Sequence, residues 1–144
     1  MCIEKNYELL EHTADIRIRI KGADLKDLFT NAAIAMFDII AEKKPHSIDS
    51  KLQTKDVVVK QKADNIEELF INWLNELLSL SAVKGLIFED FKISQINKNN
   101  LIALAKGVDV RHYKVNVEIK AATYHELKIE NNGSGFVAQV IFDT

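Results

Sequence analysis

The chain of 144 residues contains one cysteine, Cys2, and that scarcity closes two routes at once. No disulfide can form within it, and no cysteine-based zinc site can be assembled. This fits a reducing, cytoplasmic setting. Nor is there an excess of one charge: 19 Lys and Arg stand against 21 Asp and Glu, a net −2. A protein organised around a phosphate-binding basic face is not expected on that balance. Long hydrophobic runs are missing too. The longest strongly apolar stretch, Ala32 to Ala41, is interrupted by Asp38 and falls far short of the ~20 residues that cross a bilayer. The opening residues, Met1 to Glu8, meet charge before an apolar h-region forms, and Cys2 stands where N-myristoylation needs glycine. A soluble protein without secretion or lipid signals is expected. Phosphate loop, dinucleotide fingerprint, His-Glu-x-x-His and Gly-x-Ser-x-Gly elbow are all absent. The four histidines, His12, His46, His112 and His125, have no nucleophile at recognisable spacing.

What the chain does have is periodicity. With 47% hydrophobic and 28% charged residues, it can bury a core without a staple, and its length suits one domain over 1–144. Ile16 to Ile20 alternate isoleucine with arginine, a strand with one core face and one wet face. After Gly22, Asp24 can cap a helix with Asp27 three positions on, and Leu25, Leu28, Phe29, Ala32, Met36 and Phe37 recur at helical spacing. This helix is expected to end in Glu42-Lys43-Lys44, before Pro45. A polar stretch then leads to a short strand at Val57-Val58-Val59. A second helix follows, capped by Asp64 or Asn65 and striped with Leu69, Phe70, Trp73, Leu74 and Leu77 until Gly85.

Leu28-Phe29-Thr30-Asn31 and Leu69-Phe70-Ile71-Asn72 lie 41 positions apart, each at the same depth in a helix that follows an alternating strand. We read a repeated strand–helix unit. Beyond Leu86 the chain reads as close-spaced antiparallel strands over 86–96, 101–105, an alternating run from Tyr113 to Lys120, a strand through His125, Leu127 and Ile129, and a last strand Phe136 to Phe142. The expected class is α+β, two amphipathic helices packed on one face of a largely antiparallel sheet.

Three places carry candidate chemistry, each with a plainer reading beside it. His12-Thr13-Ala14-Asp15 enters the first alternating strand, where a carboxylate with imidazole and hydroxyl nearby could hold a hard cation or a proton; the plainer reading is a turn bonding its own backbone. At the other end, Asp143 beside the α-carboxylate of Thr144 offers several oxygens suited to Mg²⁺, Ca²⁺ or Mn²⁺, or else is a solvated end. In Lys120-Ala121-Ala122-Thr123-Tyr124-His125, parity puts Lys120 on the polar face and His125 with the core-facing Leu127 and Ile129, where a histidine is usually a hydrogen-bonded core residue. Arg17 and Arg19 could join Lys120 in a small anion-binding face, or form a hydrated one. Trp73 and its leucines read as packing, with Asn75 and Glu76 flanking them where either a partner or water could touch.

In this order, Tyr7-Glu8-Leu9-Leu10-Glu11-His12-Thr13-Ala14-Asp15, Trp73-Leu74-Asn75-Glu76-Leu77-Leu78, Lys120-Ala121-Ala122-Thr123-Tyr124-His125 and Val140-Ile141-Phe142-Asp143-Thr144 are similar to the archease family across nearly the whole chain. The resemblance implies a non-enzymatic accessory factor for an RtcB-type RNA ligase in tRNA splicing and RNA repair. That ligase joins a 3′-phosphate or 2′,3′-cyclic phosphate end to a 5′-hydroxyl. In the family the small protein promotes guanylylation of the ligase's active-site histidine and supports repeated turnover. Carried over by motif position, the resemblance makes Asp15, Asp143 and the carboxylate of Thr144 a divalent-cation site, and it favours the metal reading over the turn. His12, Lys120 and His125 then serve the partner, and no direct nucleic-acid contact is expected. Two departures accompany it: Thr144 stands where the family tends to finish in an aliphatic residue, and Gly107-Val108 where it tends to carry Gly-Glu, a position that could contribute charge to the partner surface. Two other classes remain beside it, a stand-alone divalent-metal hydrolase and an inert protein-interaction module.

Overall fold

The computed structural model describes residues 6–12, 15–48 and 51–144. Its strands are β1 (Tyr7–His12), β2 (Asp15–Gly22), β3 (Ala41–Lys43), β4 (Thr54–Lys62), β5 (Leu86–Ile96), β6 (Asn100–Asp109), β7 (Tyr113–Val115), β8 (Ala121–Asn131) and β9 (Phe136–Asp143). Its helices are α1 (Leu25–Ile40), the single turn α2 (Pro45–Ile48) and α3 (Ile66–Lys84). The class is α+β, as the periodicity implies, but the antiparallel strands divide into more than one sheet. β1-β2-β9-β8 form a four-stranded sheet, β4-β6-β5 a three-stranded one, and β3 and β7 a short ribbon.

The two long helices start where their caps place them. The Asp24 carboxylate accepts from the Asp27 amide at 2.8 Å, and Asp27 returns the bond by accepting from the Ala23 amide at 2.8 Å. Asn65, not Asp64, caps α3 by accepting from the Glu68 amide at 2.8 Å. At the other end of α3, Gly85 adopts φ +64, the left-handed conformation glycine takes without a Cβ penalty.

α1 stops short of its expected end. The chain becomes extended at Ala41, and 41–43 pair with 113–115. The amides of Asn116 and Val117 both donate to the Ile40 carbonyl, at 2.7 and 3.2 Å. Backbone bonds from a distant segment thus satisfy the helix end, and the same bonds take residues 116–120 out of the strand their alternation suggests. Pro45 opens α2 instead of only terminating α1, the first-turn position where its missing N–H costs nothing. β4 runs from Thr54 to Lys62, well beyond the three valines.

The repeat is real and larger than the sequence suggests. Asn31 Nδ2 donates to the Lys21 carbonyl at 2.8 Å, and Asn72 Nδ2 to the Lys62 carbonyl at 3.4 Å. These are the same bond, 41 positions on. Phe29 and Phe70, also equivalent, meet edge to face with centroids 5.2 Å apart. Trp73 Nε1 donates to the Phe29 carbonyl at 2.9 Å within that contact. Each strand–helix pair continues into a hairpin of the same order: β2 takes β9 and then β8 as neighbours, and β4 takes β6 and then β5. The fold is therefore two βαββ units, the second inserted between the helix and the hairpin of the first. Ile16, Ile18, Ile20, Phe29, Phe70, Trp73 and Phe142 lie in one hydrophobic cluster that both units share.

Val108 is buried at 1% exposure, so that position supplies no charge to any partner surface. A carboxylate there would have to leave water for the core.

Candidate functional site

The start of β2, the end of β9 and the start of β8 meet at one corner of the four-stranded sheet. Asp15 is the cross-strand partner of Asp143, and Asp143 is in turn the partner of Ala121. The amide of Lys120 donates to the Asp143 carbonyl at 2.8 Å, extending the row by one residue. Directly opposed residues of an antiparallel pair project to the same face with Cβ atoms about 4.5–5.5 Å apart. Asp15 shares its parity with Arg17 and Arg19 and opposes the buried Ile16 and Ile18, so this face is the wet one. Both aspartates are exposed. Two like charges placed opposite each other repel. Oxygen donors in that arrangement suit a hard divalent cation, which would relieve the repulsion.

The motifs singled out from the sequence separate here. Asp15, Asp143, Thr144 and Lys120 come together in one row, although they lie at opposite ends of the chain. The His12 backbone pairs with Ile16 beside them; its side chain, with Thr13 and Ala14, lies outside the described residues. Lys120 is exposed as expected, but it precedes β8 in an irregular segment instead of ending a strand. His125 does not join the core. The β8–β9 register slips between Thr123 and Lys128, which breaks the parity linking His125 to Leu127 and Ile129. His125 is exposed, while the other two are half-buried.

Nor do the arginines form an anion-binding face. Arg17 pairs with Glu126 at 2.6 Å and Arg19 with Glu8 at 3.5 Å. Glu126 sits in the slipped segment with φ +54, left-handed for a residue with a Cβ, and its carboxylate reaches Arg17 on the face that carries Asp15. Neither the slip nor the pairing has a local sequence signal. Asn75 was legible only as a flanking residue. Its side chain holds Ala122 from both sides, with Nδ2 donating to the Ala122 carbonyl at 3.1 Å and Oδ1 accepting from the Ala122 amide at 2.8 Å. It thereby ties α3 to the start of β8, next to Lys120.

The whole chain finds counterparts among known proteins. The sequence model of the Archease protein family (MTH1598/TM1083) matches residues 7–144. The chain belongs to the archease family. The protein archease of Pyrococcus abyssi is 38% identical over 146 residues, covering 96% of this chain and 99% of that one. The protein archease of Methanosarcina barkeri is 35% identical over 145 residues, covering 96% of each. Two solved archease-type structures share the fold. The solution structure of Methanobacterium thermoautotrophicum protein 1598 superposes with a TM-score of 0.73 at 26% identity, covering 98% of this chain and 100% of that one. The crystal structure of an archease, described as a possible chaperone, from Thermotoga maritima gives 0.65 at 26% identity, covering 95% and 96%. No helix among the described residues of this chain is long and apolar enough to cross a membrane.

Proposed function

We propose that this chain is an accessory factor that activates an RtcB-type RNA ligase in tRNA splicing and RNA repair, in the cytoplasm, with no chemistry of its own on RNA. Family membership over 7–144 is what supports the reading, and the corner row of Asp15, Asp143 and Lys120 is the observation that carries it. The description of the Thermotoga relative as a possible chaperone also points toward action on another protein.

Asp15, Asp143 and the carboxylate of Thr144 are the groups that would hold a divalent cation. Among the described residues no three His, Cys, Asp or Glu side chains gather at one place, so two side chains and a terminal carboxylate make an open, weakly enclosed set. A cation bound there would supply positive charge for a phosphate that the ligase presents. The chain's own contribution is positional. The cross-strand pairing sets the two aspartates opposite each other, Lys120, whose amide donates to the Asp143 carbonyl, is exposed for an acidic group of the ligase, and His12 and His125 serve as further contacts. Guanylylation of a ligase histidine needs a polyanionic nucleotide to be aligned, and alignment is a contribution a small partner can make.

The test mixes this protein in substoichiometric amount with its cognate ligase, GTP and Mn²⁺. The ligase–GMP adduct should rise and a stalled ligation should become multiple-turnover, while the protein alone leaves GTP and cyclic-phosphate RNA unchanged. Hydrolysis by the isolated protein would put a stand-alone metal hydrolase in place of this reading. Absence of any effect on the ligase would leave an interaction module.

A further inference from the structure

The duplicated units present the same cleft twice, between one unit's helix and the other unit's hairpin. One lies between α1 and the start of β5, the other between α3 and the segment leading into β8. The 41-position repeat makes Ile34 equivalent to Asn75, Asp38 to Ser79, and Ala41 to Ala82, and all six line the respective clefts. On the facing side the registers give the equivalence. Asp90 is the outer partner of Lys106 as Ala121 is of Asp143, and the residues before them, the bulged Glu89 and Lys120, occupy matching places in the two cleft walls.

The two copies differ in what fills them. In the first, the chain supplies its own plug. The β3–β7 ribbon brings Lys43 and Tyr113 together as cross-strand partners. The Tyr113 hydroxyl donates to the Glu89 carboxylate, Lys43 Nζ pairs with that carboxylate at 2.8 Å, and the ammonium lies 5.9 Å from the Tyr113 ring centre. In the second, α3 continues as helix through 82–84, where α1 has already given way to β3, and among the described residues no ribbon follows it. The cleft volumes agree: about 140 Å³ remains in the plugged copy and about 380 Å³ in the open one. Lys120, at the lip of the open copy, has no ion-pair partner among the described residues.

The geometry points to the open cleft as the seat of an extended peptide segment of the protein partner, carrying one aromatic side chain and a carboxylate that pairs with Lys120. The plugged copy is the template. It shows that this cleft takes an extended strand, a ring and one charge, and replacing Glu89 by Lys120 inverts the charge its occupant must bring. Glu118 lines the same open cleft. A polyanion such as RNA or a nucleotide sets several negative charges against Glu118 for one lysine, whereas a peptide with one carboxylate meets its complement in Lys120. The inference rests on the functional reading above only in assigning the segment to the ligase; the cleft and its charge stand on the duplicated geometry.

The probes are two capped pentapeptides, Val-Glu-Tyr-Glu-Val and Val-Lys-Tyr-Lys-Val, titrated into the ¹⁵N-labelled full chain. The acidic peptide should shift the amide signals of Ser79, Ala82 and Ala121 saturably, about fivefold more tightly than the lysine peptide, the scale of one exposed ion pair. Lys120→Glu should reverse that order and Lys120→Gln should abolish the difference, with spectra otherwise unchanged. Shifts of equal size from both peptides, or an order that survives Lys120→Glu, would overturn the inference. So would shifts produced by GTP or inorganic phosphate but not by the acidic peptide. Ligase stimulation that persists while the peptides fail to bind would remove this inference alone.

Discussion

Replacing Asn75 with alanine should damage both the fold and the candidate site, because one side chain closes two backbone bonds on a buried residue of another element. Ala122 is 4% exposed, and Asn75 satisfies both its N–H and its C=O on the side facing α3. Each lost bond is worth about 1 kcal/mol net, and a buried polar group left unpaired costs about 1–3 kcal/mol. Alanine's better helix propensity returns roughly 0.5 kcal/mol. The net loss is about 2–3 kcal/mol, which for a chain of this size lowers Tm by about 6–9 °C. Asn72→Ala is the internal control. Its bond to Lys62 is long, 3.4 Å, and exposed, so the change should stay within about 0.5 kcal/mol. Calorimetric melts of both variants decide the matter, with ligase–GMP formation followed in parallel below the melting range. Because Ala122 is two residues from Lys120, stimulation should fall in Asn75→Ala and hold in Asn72→Ala. A Tm loss in Asn75→Ala no larger than in Asn72→Ala would refute the reasoning.

Lys120→Ala should shift stability by no more than about 0.5 kcal/mol, as exposed sites do, while reducing ligase stimulation; a large loss of Tm would show that Lys120 is structural. Appending one glycine after Thr144 moves the terminal charge about 3.5 Å, and Asp15→Asn removes a charge on the other side. Each should weaken Ca²⁺ or Mn²⁺ binding by calorimetry together with ligase stimulation, and unchanged affinity in the extended chain would exclude the terminus as a ligand. Burial, followed by the hydrogen bond to Glu89, holds the Tyr113 phenol well above the ordinary tyrosine range. An unfolded phenol ionises near pH ~10 while the folded one stays protonated, so its contribution is complete below that pH and is lost as pH rises beyond it. Denaturant titrations of the native chain and of Tyr113→Phe should therefore converge in stability between pH ~10 and ~11.5, and parallel curves would contradict the assignment.

The legible parts of this fold were those written in local chemistry. Asp24 and Asn65 announce helix starts because a short acceptor beside an apolar stripe has few other uses, and Ile16 to Ile20 announce a strand by strict alternation. The end of α1 was not legible, because what terminates it is a pair of amides from Asn116 and Val117 that arrive across the fold. The placement of His125 failed for a related reason. Parity arguments assume an unbroken register, and the register slips between Thr123 and Lys128, where Glu126 takes a left-handed φ and pairs with Arg17 of another strand. The partnership of Asp15 with Asp143 likewise came from resemblance, since no local pattern links residues so distant in sequence; cross-strand pairing then put them face to face.

The duplication also explains why a cation site would occupy one unit and not the other. Asp56 stands in β4 where Asp15 stands in β2, 41 positions earlier, so both units place an aspartate at the same point of their first strand. In the first unit the opposing residue is Asp143; in the second it is Lys106. Asp56 thus faces a cation the chain supplies, whereas Asp15 faces a second negative charge. The helix-side clefts follow the same division, with Lys43 and Tyr113 closing the second hairpin's cleft and the cleft beside Lys120 left open. In both places one copy finds an opposite charge within the chain and the other does not. On the proposed reading, the aspartate pair is left for a cation and Lys120 for an acid of the partner, so that binding a metal and binding the ligase fall at one corner of the sheet.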